Sequence, residues 1–158
     1  MKKLIFCCLV VLMGSCKDKD ETVEPETDFA PEFAGNYETT TVVQNVAYQH
    51  SWQVTTTDKN KLAIVYIKTA AIEIPGTTVD FTQEYNLVDV KTTGKDVFVI
   101  DETVDVKQSN EKASRQRVEG TGNMIVNSKG VPQINITVKL TEVGKSTSVE
   151  EYLEFKKK

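Results

Sequence analysis

His50 is the chain's only histidine, and so its only side chain with an ordinary pKa near neutrality. It lies in the alternating run Tyr48-x-His50-x-Trp52-x-Val54, which as a strand sets an imidazole between two aromatics on one face. An imidazole so placed could hydrogen-bond a ligand; it could equally sit satisfied in a wall or at its rim, the plainer expectation. Ser51 is adjacent but falls on the other face, so strand geometry cannot couple it to His50. No Gly-x-Ser-x-Gly turn supplies another serine. No residue is assigned a catalytic role.

Other chemistry is thinner. Asp101-x-Thr103-x-Asp105 puts three oxygen-bearing side chains on one strand face, a start for a hard cation such as calcium. The apolar Phe98, Ile100, Val104 and Val106 occupy the alternate positions, so the acidic row reads as a solvent face and no metal site is assigned. Glycoside hydrolysis needs only two carboxylates at a set separation. Asp80, Glu84, Glu150 and Glu154 are available, but none has apolar neighbours on its own face to raise its pKa. Gly120 and Gly122 lie inside a strand pattern rather than before a helix, so they suggest a bulge or bend, not a phosphate loop. No cofactor is implied.

The cysteines belong to a different problem. Met1-Lys2-Lys3 is a short positive start, residues 4–13 (LIFCCLVVLM) are an unbroken apolar run, and Gly14-Ser15 precede Cys16. Such a run spans about 15 Å as a helix, about half a bilayer core, which suits an export signal and not a permanent span. Ending in Met-Gly-Ser-Cys, the segment resembles the bacterial lipoprotein signal, although Met13 stands where that pattern prefers leucine. The resemblance implies cleavage before Cys16 and lipidation of Cys16. Cys7 and Cys8 leave with the leader, so no disulfide or thiolate site remains. The charged residues 17–21 look like the retention or surface-export signals of some outer-membrane lipoproteins. Residues 16–30 then read as a lipidated, acidic, flexible linker, with residues 31–158 as the folded body and its boundary near Phe29–Phe33.

That body has to position whatever chemistry there is. Period-two patterning recurs in Tyr37–Val43, Tyr48–Val54, Leu62–Thr69, Val79–Leu87, Asp96–Val106, Val118–Val126, Ile134–Leu140 and Val149–Phe155. Leu62–Thr69 is apolar enough to be buried on both faces or nearly so. Turn chemistry separates the runs at residues 58–61, 92–95, 127–130 and 143–145. Ser109–Arg117 has no apolar face and reads as a polar loop, and Lys156–Lys158 as a basic tail. About eight antiparallel strands without a helix-length segment give an all-β domain, an up-and-down barrel or a two-sheet sandwich.

Three short stretches resemble small lipocalin-like lipoproteins: Phe33-Ala34-Gly35-Asn36-Tyr37, Glu119-Gly120-Thr121-Gly122-Asn123 and Tyr152-Leu153-Glu154-Phe155-Lys156. Tyr37 stands where the first strand of that family usually carries Trp. The resemblance favours the barrel and implies a ligand in its mouth, with Tyr48, His50, Trp52, Tyr66 and Tyr85 as the side chains that would line it. The aromatics, Tyr37, Phe81 and Phe98 among them, could instead fill the interior solid.

The formal charge of −4 becomes more negative by two when Lys2 and Lys3 leave with the signal. With no Lys/Arg cluster interleaved with aromatics, nucleic acid is not an expected partner. The expected partners are a membrane, through the Cys16 lipid, and either a small apolar or amphipathic ligand or a surface protein or glycan. A carboxylate-based hydrolase is the third and weakest class.

Overall fold

A computed structural model describes residues 27–158; the leader, Cys16 and the linker up to residue 26 lie outside the described residues. A short helix, α1 (Ala30–Phe33), precedes eight strands: β1 (Gly35–Val43), β2 (Val46–Asp58), β3 (Lys61–Ile74), β4 (Thr77–Gly94), β5 (Val97–Gln108), β6 (Ser114–Val126), β7 (Pro132–Glu142) and β8 (Ser148–Lys157). Each pairs with its sequence neighbours and β8 returns to β1, so the all-β domain is a closed, up-and-down antiparallel barrel.

The sandwich alternative survives only as a division of the barrel into halves. Ladders within β1–β4 and within β5–β8 are long, whereas the two seams between the halves are short. At β1–β8 only Tyr37↔Lys157 and Glu38↔Lys156 pair. At β4–β5 the ladder lapses between Glu84 and Lys91. An acidic side chain takes over at each gap. Glu102 accepts the amides of Val88 (2.9 Å) and Asp89 (2.8 Å), and Glu151 accepts the Thr41 hydroxyl at 3.0 Å. Glu102 thereby satisfies backbone amides that a continuous ladder would otherwise hold, whereas Glu151 bridges its seam through a side chain.

Alternation decides what faces inward. Tyr37, Trp52, Tyr66, Tyr85, Phe98, Ile134, Leu153 and Phe155 are buried, while their outward neighbours are mostly polar. The expectation that β3 is buried on both faces or nearly so holds fully on one: Leu62, Ile64 and Tyr66 are buried, while Ala63, Val65 and Ile67 on the outer face are half-buried. Gly120 and Gly122 mark no bulge, for β6 pairs without interruption to β5 and β7. Their purpose is close approach: a Cβ on Gly122 would overlap the edge of the Phe98 ring, and one on Gly120 would lie 2.8 Å from the Thr137 carbonyl oxygen.

Two further expectations need correcting. Ser114–Arg117, expected within a loop, opens β6. Its outward Arg115 and Arg117 pair with Asp105 and Asp101 across the sheet, and its inward positions lie at the barrel mouth, where an apolar face is not required. Lys156 and Lys157 are not a tail but the closing rungs of the barrel. The Lys157 ammonium lies 5.7 Å from the centre of the Tyr37 ring, and the Lys158 amide donates to the Asn36 carbonyl at 2.9 Å.

One end of the barrel is plugged. Ala30 and Phe33 of α1 are fully buried, Phe33 meets Phe98 edge-on at 5.3 Å, and the Tyr37 hydroxyl donates to the Phe33 carbonyl at 2.9 Å. Asn60, at positive φ in the β2–β3 turn, accepts the Phe29 amide at 2.8 Å and donates to the Thr27 carbonyl at 3.0 Å. Residues 27–30, read from sequence as the end of the linker, are thereby tied to the barrel floor. At the other end the connections 44–45, 75–76, 109–113 and 143–147 surround an open mouth. The β3–β4 ladder runs on to Ile74↔Thr77, past the last β2 partner at Ala70 and the last β5 partner at Gln83. Residues 71–80 therefore project as a two-stranded ribbon, exposed throughout.

Candidate functional site in the barrel mouth

The five residues expected to line a ligand site do come together, but mostly as packing. Trp52 stacks on Phe155 at 4.1 Å, Tyr66 stacks on Tyr85 at 5.2 Å, and His50 lies parallel to Tyr66 at 6.0 Å. These rings fill the middle of the barrel. Among the described residues the Trp52 indole N–H is the one buried side-chain polar atom without a partner. Tyr48, half-buried, and Tyr85 stand nearer the mouth.

Above the rings the interior becomes polar. Lys68 follows Leu62, Ile64 and Tyr66 on the inward face of β3, and Glu151 precedes Leu153 and Phe155 on that of β8. Lys68 Nζ meets Glu151 Oε2 at 2.7 Å, and both side chains are only about 15% exposed (15% and 14%). The ammonium also lies 4.8 Å from the centre of the Tyr48 ring. Glu151 Oε1 accepts from Thr41 Oγ1 at 3.0 Å, which is 2.9 Å from His50 Nε2, and His50 Nδ1 is 2.8 Å from the Tyr66 hydroxyl.

Donor capacity fixes the direction of this chain. The single Thr41 hydroxyl hydrogen goes to the carboxylate, so Thr41 must accept from His50 Nε2–H, and His50 Nδ1 then accepts from Tyr66. A nucleophile–histidine pair needs the reverse, an unprotonated nitrogen facing the hydroxyl. Thr41 and His50 are adjacent, yet polarised against nucleophile activation. Burial, opposed by the Glu151 charge and aided by that of Lys68, lowers the His50 pKa to about 4. Burial raises the Glu151 carboxyl, but the Lys68 hydrogen bond and charge, with His50 and Thr41, outweigh it and hold the group below its usual range. Burial also drives the Tyr66 phenol well up and that of Tyr85 to about 12, so both remain donors.

A pH dependence follows. Between pH 6.5 and 4 the unfolded chain protonates its histidine while the folded chain resists, so the unfolded state binds more protons and stability falls on acidification. At about 1.4 kcal/mol per unit the shift is worth at most about 3 kcal/mol, and about 2 after partial solvation beside Glu151. Urea unfolding at pH 7 and pH 4.5 should show wild type losing about 2 kcal/mol more than His50→Gln; equal losses would contradict a neutral buried His50.

The mouth holds an open cavity of about 290 Å³ whose lining includes Lys68, Gln83, Tyr85, Gln116, Leu140 and Glu142. The Tyr85 hydroxyl donates to Gln116 Oε1 at 3.2 Å. A wider hollow of about 710 Å³ lies along the outer wall among Glu38, Thr40, Gln49, Ser51 and Lys156, a polar surface valley that borders His50 from the outside. Of the carboxylates weighed from sequence, Glu84 bonds Lys107 at 2.8 Å at the surface, and Asp101 pairs with Arg117 at 2.9 Å. No group of three potential metal ligands occurs among the described residues. Sequence reasoning missed Lys68, Glu151, Thr41 and Gln116, although a lysine and a glutamate at apolar-parity positions of two strands were a visible signal.

The chain matches no protein-family model, no curated protein and no solved structure.

Proposed function

We propose that this chain is an exported lipoprotein, held through Cys16 to a bacterial outer membrane, that binds a small amphipathic ligand in the mouth of its barrel. The anchor rests on the leader, with its positive start, short apolar run and Gly14-Ser15-Cys16 ending. The binding function rests on one observation: a nearly buried Lys68–Glu151 pair at the base of an open cavity. Such a pair stabilises a fold poorly, since apolar side chains of similar volume do as well or better. At the foot of an accessible cavity it supplies fixed donors and acceptors to a ligand.

The solid interior favours a ligand seated above the rings rather than among them. Hydrolysis is disfavoured by the direction of the Tyr66–His50–Thr41–Glu151 chain. A second reading, a surface protein that meets another protein or a glycan, is favoured by the incomplete β1–β8 seam, where Val42 and Tyr152 are 68% and 56% exposed beside unpaired strand edges.

Mass spectrometry tests both parts. Protein extracted from membranes should have the mass of a chain beginning at Cys16 plus a diacylglyceryl group and an acyl chain; an unprocessed or unlipidated mass would refute the anchor. Residues 16–158 carrying Cys16→Ser, exported and purified without detergent, should show a discrete small-molecule adduct in native spectra. A bare chain from every preparation would refute the ligand.

A further inference from the structure

We infer that the mouth accepts a single-chain amphiphile with an uncharged polyhydroxyl head, seated head-down on the polar floor with its chain along the inner face of the projecting β3–β4 ribbon. The inference rests on the mouth-binding reading above and names its ligand class.

The orientation follows from where apolar surface remains. Below the floor, Trp52, Tyr66 and Phe155 leave no space for a chain. Above it, the parity that turns Tyr66 and Lys68 inward continues to Ile72 and Ile74 on β3, and that of Tyr85 and Gln83 continues to Val79 on β4. These three are 42%, 46% and 48% exposed, on a ribbon that has no strand neighbour among the described residues beyond its own two strands. Val43 and Val149, 50% and 63% exposed, add aliphatic surface at the rim on the same parity. The inner wall therefore runs from polar floor to apolar extension without a break, the reverse of a barrel that swallows a chain.

The head class follows from charge and hydrogen-bonding capacity. Both cations lining the mouth already have a carboxylate partner, Lys68 with Glu151 and Lys145 with Glu142, so a charged head would enter a site whose charges are already balanced. What remains is mixed. Lys68 has three N–H groups, one on Glu151 and another covered by the Tyr48 ring; the Tyr85 oxygen has lone pairs left, and Gln83 carries an amide that donates and accepts. Hydroxyl groups, which donate and accept at once, match such a set better than an ion does.

Titration of residues 16–158 carrying Cys16→Ser, followed by amide and side-chain NMR shifts, tests this with glucose, hexyl glucoside, octyl glucoside, octanoate and octylammonium, all below micelle formation. Affinity should rise about fourfold per buried methylene, so octyl glucoside should bind about sixteenfold tighter than hexyl glucoside. It should also bind more tightly than either charged probe. Shifts should fall on Tyr85, Gln116 and residues 72–79, not on the Trp52 indole. In Ile72→Ser/Val79→Ser the chain-length gain should vanish with the thermal midpoint unchanged. Equal or tighter binding of a charged probe, leading shifts at Trp52, or no chain-length dependence would overturn the inference. If every probe fails while the native adduct persists, this inference falls and the mouth-binding reading stands; if the adduct is absent too, both fall.

Discussion

Gly122→Val should be the most damaging single substitution in the barrel, lowering stability by about 3 kcal/mol or more. Gly122 sits mid-strand, paired with Phe98 on β5 and Ile136 on β7 without a register shift. Any Cβ at this position would overlap the Phe98 ring, and Phe98 is fully buried against Phe33 and Trp52 with no room to retreat. The ring covers the glycine backbone across the strand pair, which offsets the low strand propensity of glycine. Urea unfolding should show the loss directly, and replacing the ring with Phe98→Leu in the Gly122→Val background should recover part of it. A Gly122→Val chain within about 0.5 kcal/mol of wild type would contradict this packing.

The second large effect concerns the Lys68–Glu151 pair, and its sign depends on how many partners are removed. Lys68→Met or Glu151→Leu alone strands an ion in a site that is only about 15% exposed and should cost about 3 kcal/mol. Glu151→Leu should cost the more, because Thr41 also loses its acceptor. Removing both together should return stability to within about 1 kcal/mol of wild type, because two desolvated ions are exchanged for packed apolar atoms. Denaturant unfolding of the four chains, read as a double-mutant cycle, measures this. Additive losses would mean that the pair holds the barrel together.

The barrel itself was legible because alternation at eight short, turn-separated runs is a direct imprint of one buried and one wet face. The misreadings have separate causes, and the first is the assumption that an inward strand position must be apolar. Ser114–Arg117 read as a loop because the mouth end of β6 is polar on both faces. Lys156 and Lys157 read as a tail because backbone pairing to β1 leaves no mark on side-chain pattern. The glycines of β6 suggested a bulge because what needs them, the Phe98 ring beside Gly122 and the Thr137 carbonyl beside Gly120, lies on other strands. Of the site, Tyr48, His50, Trp52, Tyr66 and Tyr85 were found by aromatic parity. Their division into filler and lining depends on closure of β8 onto β1, a contact between chain ends. Lys68 and Glu151 are 83 residues apart, and only that closure brings them within 2.7 Å.

Native mass spectra of wild-type residues 16–158 and of its Lys68→Met/Glu151→Leu variant, both carrying Cys16→Ser and purified side by side from the same exporting cells, test most directly whether the mouth is a binding site. The two proteins should be equally folded, with a small-molecule adduct on the wild type and none on the variant. An adduct retained equally by both, or absent from both, would contradict a binding site in the mouth.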